Sequence, residues 1–117
     1  MSVVEPIVIS ERVSAPRAEI VFTVPPDLDY LRGHFPGLPV VAGVVQIKWA
    51  VEFARSRLGL AGEFVGMQGL KFQRVMTPGA AVTLTLEYDA KDGALRFSFA
   101  AGETRYSSGR IRLRAPP

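Results

Sequence analysis

The stretch from Gly43 to Leu58 contains no proline and is apolar almost all the way round. Freedom from breakers, with Gly59 just beyond, reads as a helix closed by a glycine cap. Arg55 and Arg57 fall in its last turn, where cations suit the negative end of the helix dipole. On a helical period, Val44, Val45, Ile47, Trp49, Ala50, Val51, Phe53, Ala54 and Leu58 cover most of the circumference. Such a helix has to be buried on nearly every side. A chain of 117 residues has room for one domain, so the expected solution is a curved sheet wrapped around the helix, an α+β architecture.

The flanks supply that sheet. Ile7–Ser10 and Glu19–Val24 are β-type runs, the second stopped by Pro25-Pro26. After the helix comes a long mixed run, Phe64 to Val75, and Thr77-Pro78-Gly79 then breaks the chain. Val82, Leu84, Leu86 and Tyr88 alternate with threonines and Glu87, Lys91-Asp92-Gly93 signals a turn, and Leu95, Phe97, Phe99 and Ala101 alternate again. This pattern predicts an antiparallel hairpin. A last strand is expected over Thr104–Arg114, and the change of apolar parity between Tyr106 and Ile111 points to a bulge near Gly109. The reading is two strands, one helix and four strands in a single domain, residues 1–117, with no internal repeat. A chain this small buries only about two-thirds of its unfolded surface, so self-association is expected.

Composition closes off several kinds of chemistry. With 48% hydrophobic and 21% charged residues the chain is not globally disordered. The absence of cysteine removes disulfides, thiolate metal sites and cysteine nucleophiles. His34 is the sole histidine, too few for a zinc site of the usual kind, so no metal is expected and the chemistry falls to His34 or to carboxylates. The net charge of +3 is spread along the chain, and alternating Arg110, Arg112 and Arg114 read as the solvated face of a strand. Nucleic acid is therefore not an expected partner. No apolar run approaches the ~20 residues of a membrane span and the N-terminus has no signal pattern, so a cytoplasmic location is expected.

The join between loop and helix carries the chemistry. Gly33-His34-Phe35-Pro36-Gly37 sets the histidine in a glycine-flanked turn just ahead of the helix. Gly43 falls where the helix exposes unpaired backbone N–H groups. Those groups and the helix dipole can hold the oxygen of a thioester carbonyl as it becomes enolate-like. A glycine there lets a ligand come close to the backbone. A neutral imidazole, with a pKa near 6.5, suits removal of the proton on the adjacent carbon.

The segment Gly33-His34-Phe35-Pro36-Gly37-Leu38-Pro39-Val40-Val41-Ala42-Gly43-Val44 resembles the active-site segment of hot-dog 3-hydroxyacyl-acyl carrier protein dehydratases of the FabZ and FabA type. Leu70-Lys71-Phe72-Gln73-Arg74-Val75-Met76-Thr77-Pro78-Gly79 is similar to the same family's downstream strand and turn. Chain length and the helix wording Gly43-Val44-Val45-Gln46-Ile47-Lys48-Trp49-Ala50 are similar to the small ApeI-like branch, associated with aryl polyene pigment assembly. The resemblance implies a hot-dog fold that dimerises sheet to sheet. It also implies a (3R)-hydroxyacyl substrate carried on the phosphopantetheine arm of acyl carrier protein, with no cofactor of the enzyme's own, and elimination of water in fatty acid or aryl polyene type biosynthesis. His34 would be the base and the Gly43 N–H the carbonyl polariser. Phe35, Pro36, Gly37, Val44 and Glu52 are the expected substrate-lining residues.

In that family the helix also supplies a carboxylate, usually from the neighbouring subunit, and here the matching position is Lys48; the proline usual before the helix glycine is Ala42. An ammonium can protonate a departing hydroxyl, but it cannot orient a water, and it opposes positive charge on His34. Glu52 follows at the i,i+4 spacing, either as an ion-pair partner for Lys48 or as a displaced carboxylate. The second reading is therefore a catalytically impaired subunit that binds acyl carrier protein or completes a related dehydratase, as a homodimer, a higher oligomer or a heterodimer. Acyl thioester hydrolysis ranks third, for want of a carboxylate to direct water. Trp49, Phe53 and Phe72 are expected in the core or along an acyl tunnel, and Gln46 as a satisfied buried amide or part of a polar wall. Asp27 and Asp29 are expected to solvate a loop, and Lys71 and Arg74 to flank a strand.

Overall fold

Alternation in the second half of the chain builds the centre of the sheet. The computed structural model describes residues 5–26 and 41–114. Strands β4 (Ala81–Asp89) and β5 (Ala94–Ala101) form the predicted antiparallel hairpin, with Leu84 opposite Phe99 and Leu86 opposite Phe97. Asp89 closes its turn by accepting the Lys91 amide at 2.9 Å, and Gly93 supplies the positive φ of 62° that a side chain would resist. Strands β1 (Ile7–Ser14), β2 (Arg17–Thr23), β3 (Glu63–Phe72) and β6 (Thr104–Arg114) complete one six-stranded antiparallel sheet in the order β1-β2-β4-β5-β6-β3. Helix α1 (Gly43–Leu58) lies against it, closed by Gly59 at φ 66°. Two strands, a helix and four strands are the order expected of an α+β hot-dog domain.

Register stacks the apolar residues into rows across the inner face. One row runs Ile20, Leu84, Phe99, Ser107 and Phe72; the next runs Ala18, Leu86, Phe97 and Gly109. Phe22 stands edge-on to Trp49 of α1 at 5.7 Å and to Phe99 at 6.0 Å, and all three are buried. These edge-to-face contacts add to the area buried and fix the rotation of the helix over the sheet.

Four expectations are corrected. Helix α1 buries one face, through Val45, Gln46, Trp49, Ala50 and Ala54, while Val44 is 70% exposed and Lys48, Glu52, Arg55 and Ser56 also face outward. Apolar residues all round the helix do not mean burial all round within one chain. The bulge of β6 lies at Tyr106, skipped between the pairs Phe99–Ser107 and Ala100–Arg105, so that Tyr106 and Ser107 are both buried. Near Gly109 the irregularity belongs to β3, between Gln68 and Lys71. Strand β1 runs on to Ser14 through the polar Glu11 and Arg12, because an edge strand exposed along its whole length needs no alternation. Phe72 closes β3 half-exposed and is not in the core. Among the described residues no helix is long and apolar enough to cross a membrane.

Candidate functional site

Of the predicted site residues, Gly43 and Val44 stand at the start of α1. Its cap, Ala42, has extended backbone and no side-chain hydrogen bond, and the first turn holds no acidic residue. The Ala42 carbonyl accepts the amides of Val45 at 3.0 Å and Gln46 at 3.2 Å. Among the described residues the amides of Gly43 and Val44 have no backbone acceptor, and they lie at the positive end of the helix dipole.

Gly43 has a structural reason beyond ligand access. A Cβ built there would lie 2.7 Å from Cε1 and Cζ of Phe72, so the ring sits directly on the glycine. The start of the helix is thus walled on one side by an aromatic ring that is 51% exposed.

Val44, Lys48 and Glu52 recur every four residues and form one stripe on the outward face of α1, spanning ~12 Å. Lys48 Nζ is 3.1 Å from Glu52 Oε1, the pair expected from their spacing, with both side chains about half-exposed. An ion pair this open contributes at most ~0.5 kcal/mol. Its consequence is chemical: the described stripe presents an ammonium and a carboxylate held together. Glu52 also lines a cavity of about 280 Å³ between the start of β1 and α1, with Pro6, Val8, Trp49, Phe53 and Arg57. Arg57 ties the end of α1 to β1 through Glu11 at 2.9 Å and lies over the Phe53 ring at 5.1 Å.

The structure therefore places Gly43 and Val44 in the first turn of α1 and Lys48 and Glu52 further along its outward face. His34, Phe35, Pro36 and Gly37, like Asp27 and Asp29, lie outside the described residues. Trp49 is in the core and Gln46 is a satisfied buried amide. Lys71, Arg74, Arg110, Arg112 and Arg114 are on the surface, as the alternation predicts. Two neighbours of the helix start are not among the expected site residues: Phe72 on Gly43, and Ser107, whose hydroxyl donates to Gln46 Oε1 at 2.6 Å. The alternation of β6 carried a signal for Ser107, since a polar residue on the inward side of a strand calls for a buried partner.

A family described as ApeI-like, ApeI dehydratase, matches residues 10–110. A FabZ 3-hydroxyacyl-[acyl-carrier-protein] dehydratase of Erythrobacter litoralis is 33% identical over 72 residues, 54% of this chain and 48% of that protein. The FabZ of Novosphingobium aromaticivorans is 32% identical over 92 residues, 71% of this chain and 55% of that protein. The matches thus span about half the length of these curated relatives. Among solved structures, a chain of the dehydratase heterocomplex ApeI:P from Xenorhabdus doucetiae superposes with a TM-score of 0.89 at 33% identity, covering 95% of this chain and 99% of that one.

Proposed function

The chain belongs to the ApeI-like dehydratase family, and from that premise we propose that it removes water from a (3R)-hydroxyacyl thioester carried on acyl carrier protein, giving the trans-2-enoyl thioester. His34 takes the proton from the carbon beside the thioester carbonyl. The Gly43 amide receives the carbonyl oxygen as negative charge develops there, where a fixed donor at a helix start is worth most. The departing hydroxyl takes a proton from Lys48 on the helix stripe and leaves as water. The thioester reaches the site on a phosphopantetheine arm, and no further cofactor or metal enters the scheme. The reaction belongs to fatty acid or aryl polyene type biosynthesis in the cytoplasm. The observation that carries this reading is that the amides of Gly43 and Val44 have no backbone acceptor among the described residues, at the head of the stripe that holds Lys48 and Glu52.

The Lys48–Glu52 pair favours a second reading, in which a related dehydratase supplies the missing carboxylate across a dimer. A cation occupies the position where the resembling family carries an acid, and its charge is already engaged by Glu52. Strand β3 is a sheet edge with Phe64, Val65 and Met67 each at least 40% exposed, which supports association along that edge, sheet to sheet. The relative from Xenorhabdus doucetiae comes from a heterocomplex.

Hydration of crotonyl-pantetheine, the reverse reaction, tests both readings. His34→Ala is expected to abolish it, and full activity of that variant would remove His34 from the mechanism. Activity that appears only on mixing with a related dehydratase supports the shared site, whereas robust turnover by the isolated protein rules it out. Lys48→Glu, assayed alone, should raise the rate if the missing carboxylate is what limits the chain.

A further inference from the structure

The first turn of α1 is anchored by a buried polar relay that the reaction scheme does not use. Gln46 and Ser107 are 3% and 1% exposed, and they are the polar side chains buried in the core among the described residues. The Ser107 hydroxyl donates to Gln46 Oε1 at 2.6 Å, and Gln46 Nε2 donates to the Val41 carbonyl at 3.1 Å. Val41 in turn donates its amide to the Met76 carbonyl at 2.8 Å, an isolated bridge just ahead of the helix. One side chain thus joins three pieces of chain: the segment leading into α1, the helix itself, and the bulged part of β6.

The register gives this relay its purpose. Ser107 is the cross-strand partner of Phe72, the residue whose ring lies on Gly43. Two neighbouring residues of the sheet therefore touch the first turn of α1, one by a ring against the glycine and one by a hydroxyl on the amide. Ser107 keeps step with Gly109 and Ile111 on the inward side, Tyr106 is the extra residue just before it, and the Tyr106 carbonyl accepts the Gln73 amide at 2.9 Å beside it. A buried amide is costly unless its bonds are made and is directional when they are, so a satisfied relay holds one geometry where apolar contacts would allow several.

We propose that Gln46 and Ser107 are positioning residues: the relay fixes the Gly43 amide and the Val41 segment that leads into it, so that the carbonyl of the substrate meets a donor already in place. The catalytic consequence rests on the dehydratase reading above; the mechanical part does not. Misplacement of a catalytic donor by an ångström costs up to about a hundredfold in rate, so loosening the relay reads out in turnover more than in binding.

The test uses the whole chain with Ser107→Ala and the volume-conserving Gln46→Met, in two measurements. Residue-resolved amide hydrogen exchange is expected to quicken about tenfold or more at Val41, Val45 and Gln46, and less than about twofold from Val51 to Leu58. Equal acceleration throughout α1 would mean a merely structural contact, and unchanged exchange at Val41 would mean no anchor; either overturns the proposal. In crotonyl-pantetheine hydration, kcat is expected to fall about ten- to a hundredfold with KM within about twofold. A raised KM with unchanged kcat overturns the positioning role. The double variant is expected to lose less than the product of the single losses, because the two groups act as one unit. If the parent protein is inert alone and with a related dehydratase, the dehydratase reading falls while the exchange measurement still decides the anchor.

Discussion

Replacing Gly43 by alanine sets two effects of known size against each other. Helix propensity favours alanine by up to ~0.5–1 kcal/mol. The new Cβ, however, would lie 2.7 Å from two ring carbons of Phe72, which must retreat by about 0.8 Å to reach an ordinary carbon–carbon separation. Phe72 is 51% exposed, so about half of a side chain that can bury ~200 Å² is covered, worth ~2.5 kcal/mol at ~25 cal/mol/Å². The atoms in conflict are the far end of a half-exposed ring, which can tilt outward and forfeit a part of that burial, about 1 kcal/mol. Gly43→Ala is therefore expected to be nearly neutral in the parent chain and stabilising by ~0.5–1 kcal/mol in a Phe72→Ala background. The assay is urea unfolding of the four proteins of the cycle, followed by Trp49 fluorescence and far-ultraviolet circular dichroism. Several protein concentrations are needed, since any self-association would make apparent stability concentration-dependent. A coupling below ~0.3 kcal/mol, the scatter of independent sites, would refute the seating of the ring on Gly43.

Gly59→Ala is expected to cost ~1–2 kcal/mol, seen as a lower urea midpoint, because the C-cap holds φ at 66° where a Cβ is strained. Phe99→Ala removes a fully buried ring between Phe22 and Phe97 and is expected to cost ~3–5 kcal/mol in the same measurement. Lys48→Glu exchanges the 3.1 Å attraction for a like-charge i,i+4 pair with Glu52; the expected loss is only ~0.5–1 kcal/mol, and it shrinks as salt is added. A loss of several kcal/mol there would show that Lys48 carries more of the fold than a half-exposed pair can.

The hairpin of β4 and β5 is legible because every second residue from Val82 to Leu86, and again from Leu95 to Phe99, faces one core, and a period of two admits no other element. The bounds of α1 were equally local, set by freedom from proline and by Gly59. Strand β1 beyond Ser10 was not legible: an edge strand with both faces open imposes no pattern on Glu11 and Arg12. The change of parity announces a bulge but not its position, because Tyr106 and Ile111 bracket it without marking which residue goes unpaired, and the structure places it at Tyr106 and not near Gly109.

At the candidate site the division is similar. The sequence by itself determined that a helix begins at Gly43, that its first amides have no acceptor within the helix, and that Lys48 and Glu52 stand one turn apart and pair, because these follow from backbone hydrogen bonding and a 3.6-residue period. Only the tertiary structure decided what lies against that helix start. Phe72 comes from 29 residues downstream and Ser107 from 61 residues beyond Gln46, and no local period relates residues so far apart. Their meeting depends on the antiparallel register that pairs Phe72 with Ser107 and Ser107 with Phe99. Such a register is the outcome of packing the whole sheet against the helix, so it exists only once the chain has folded.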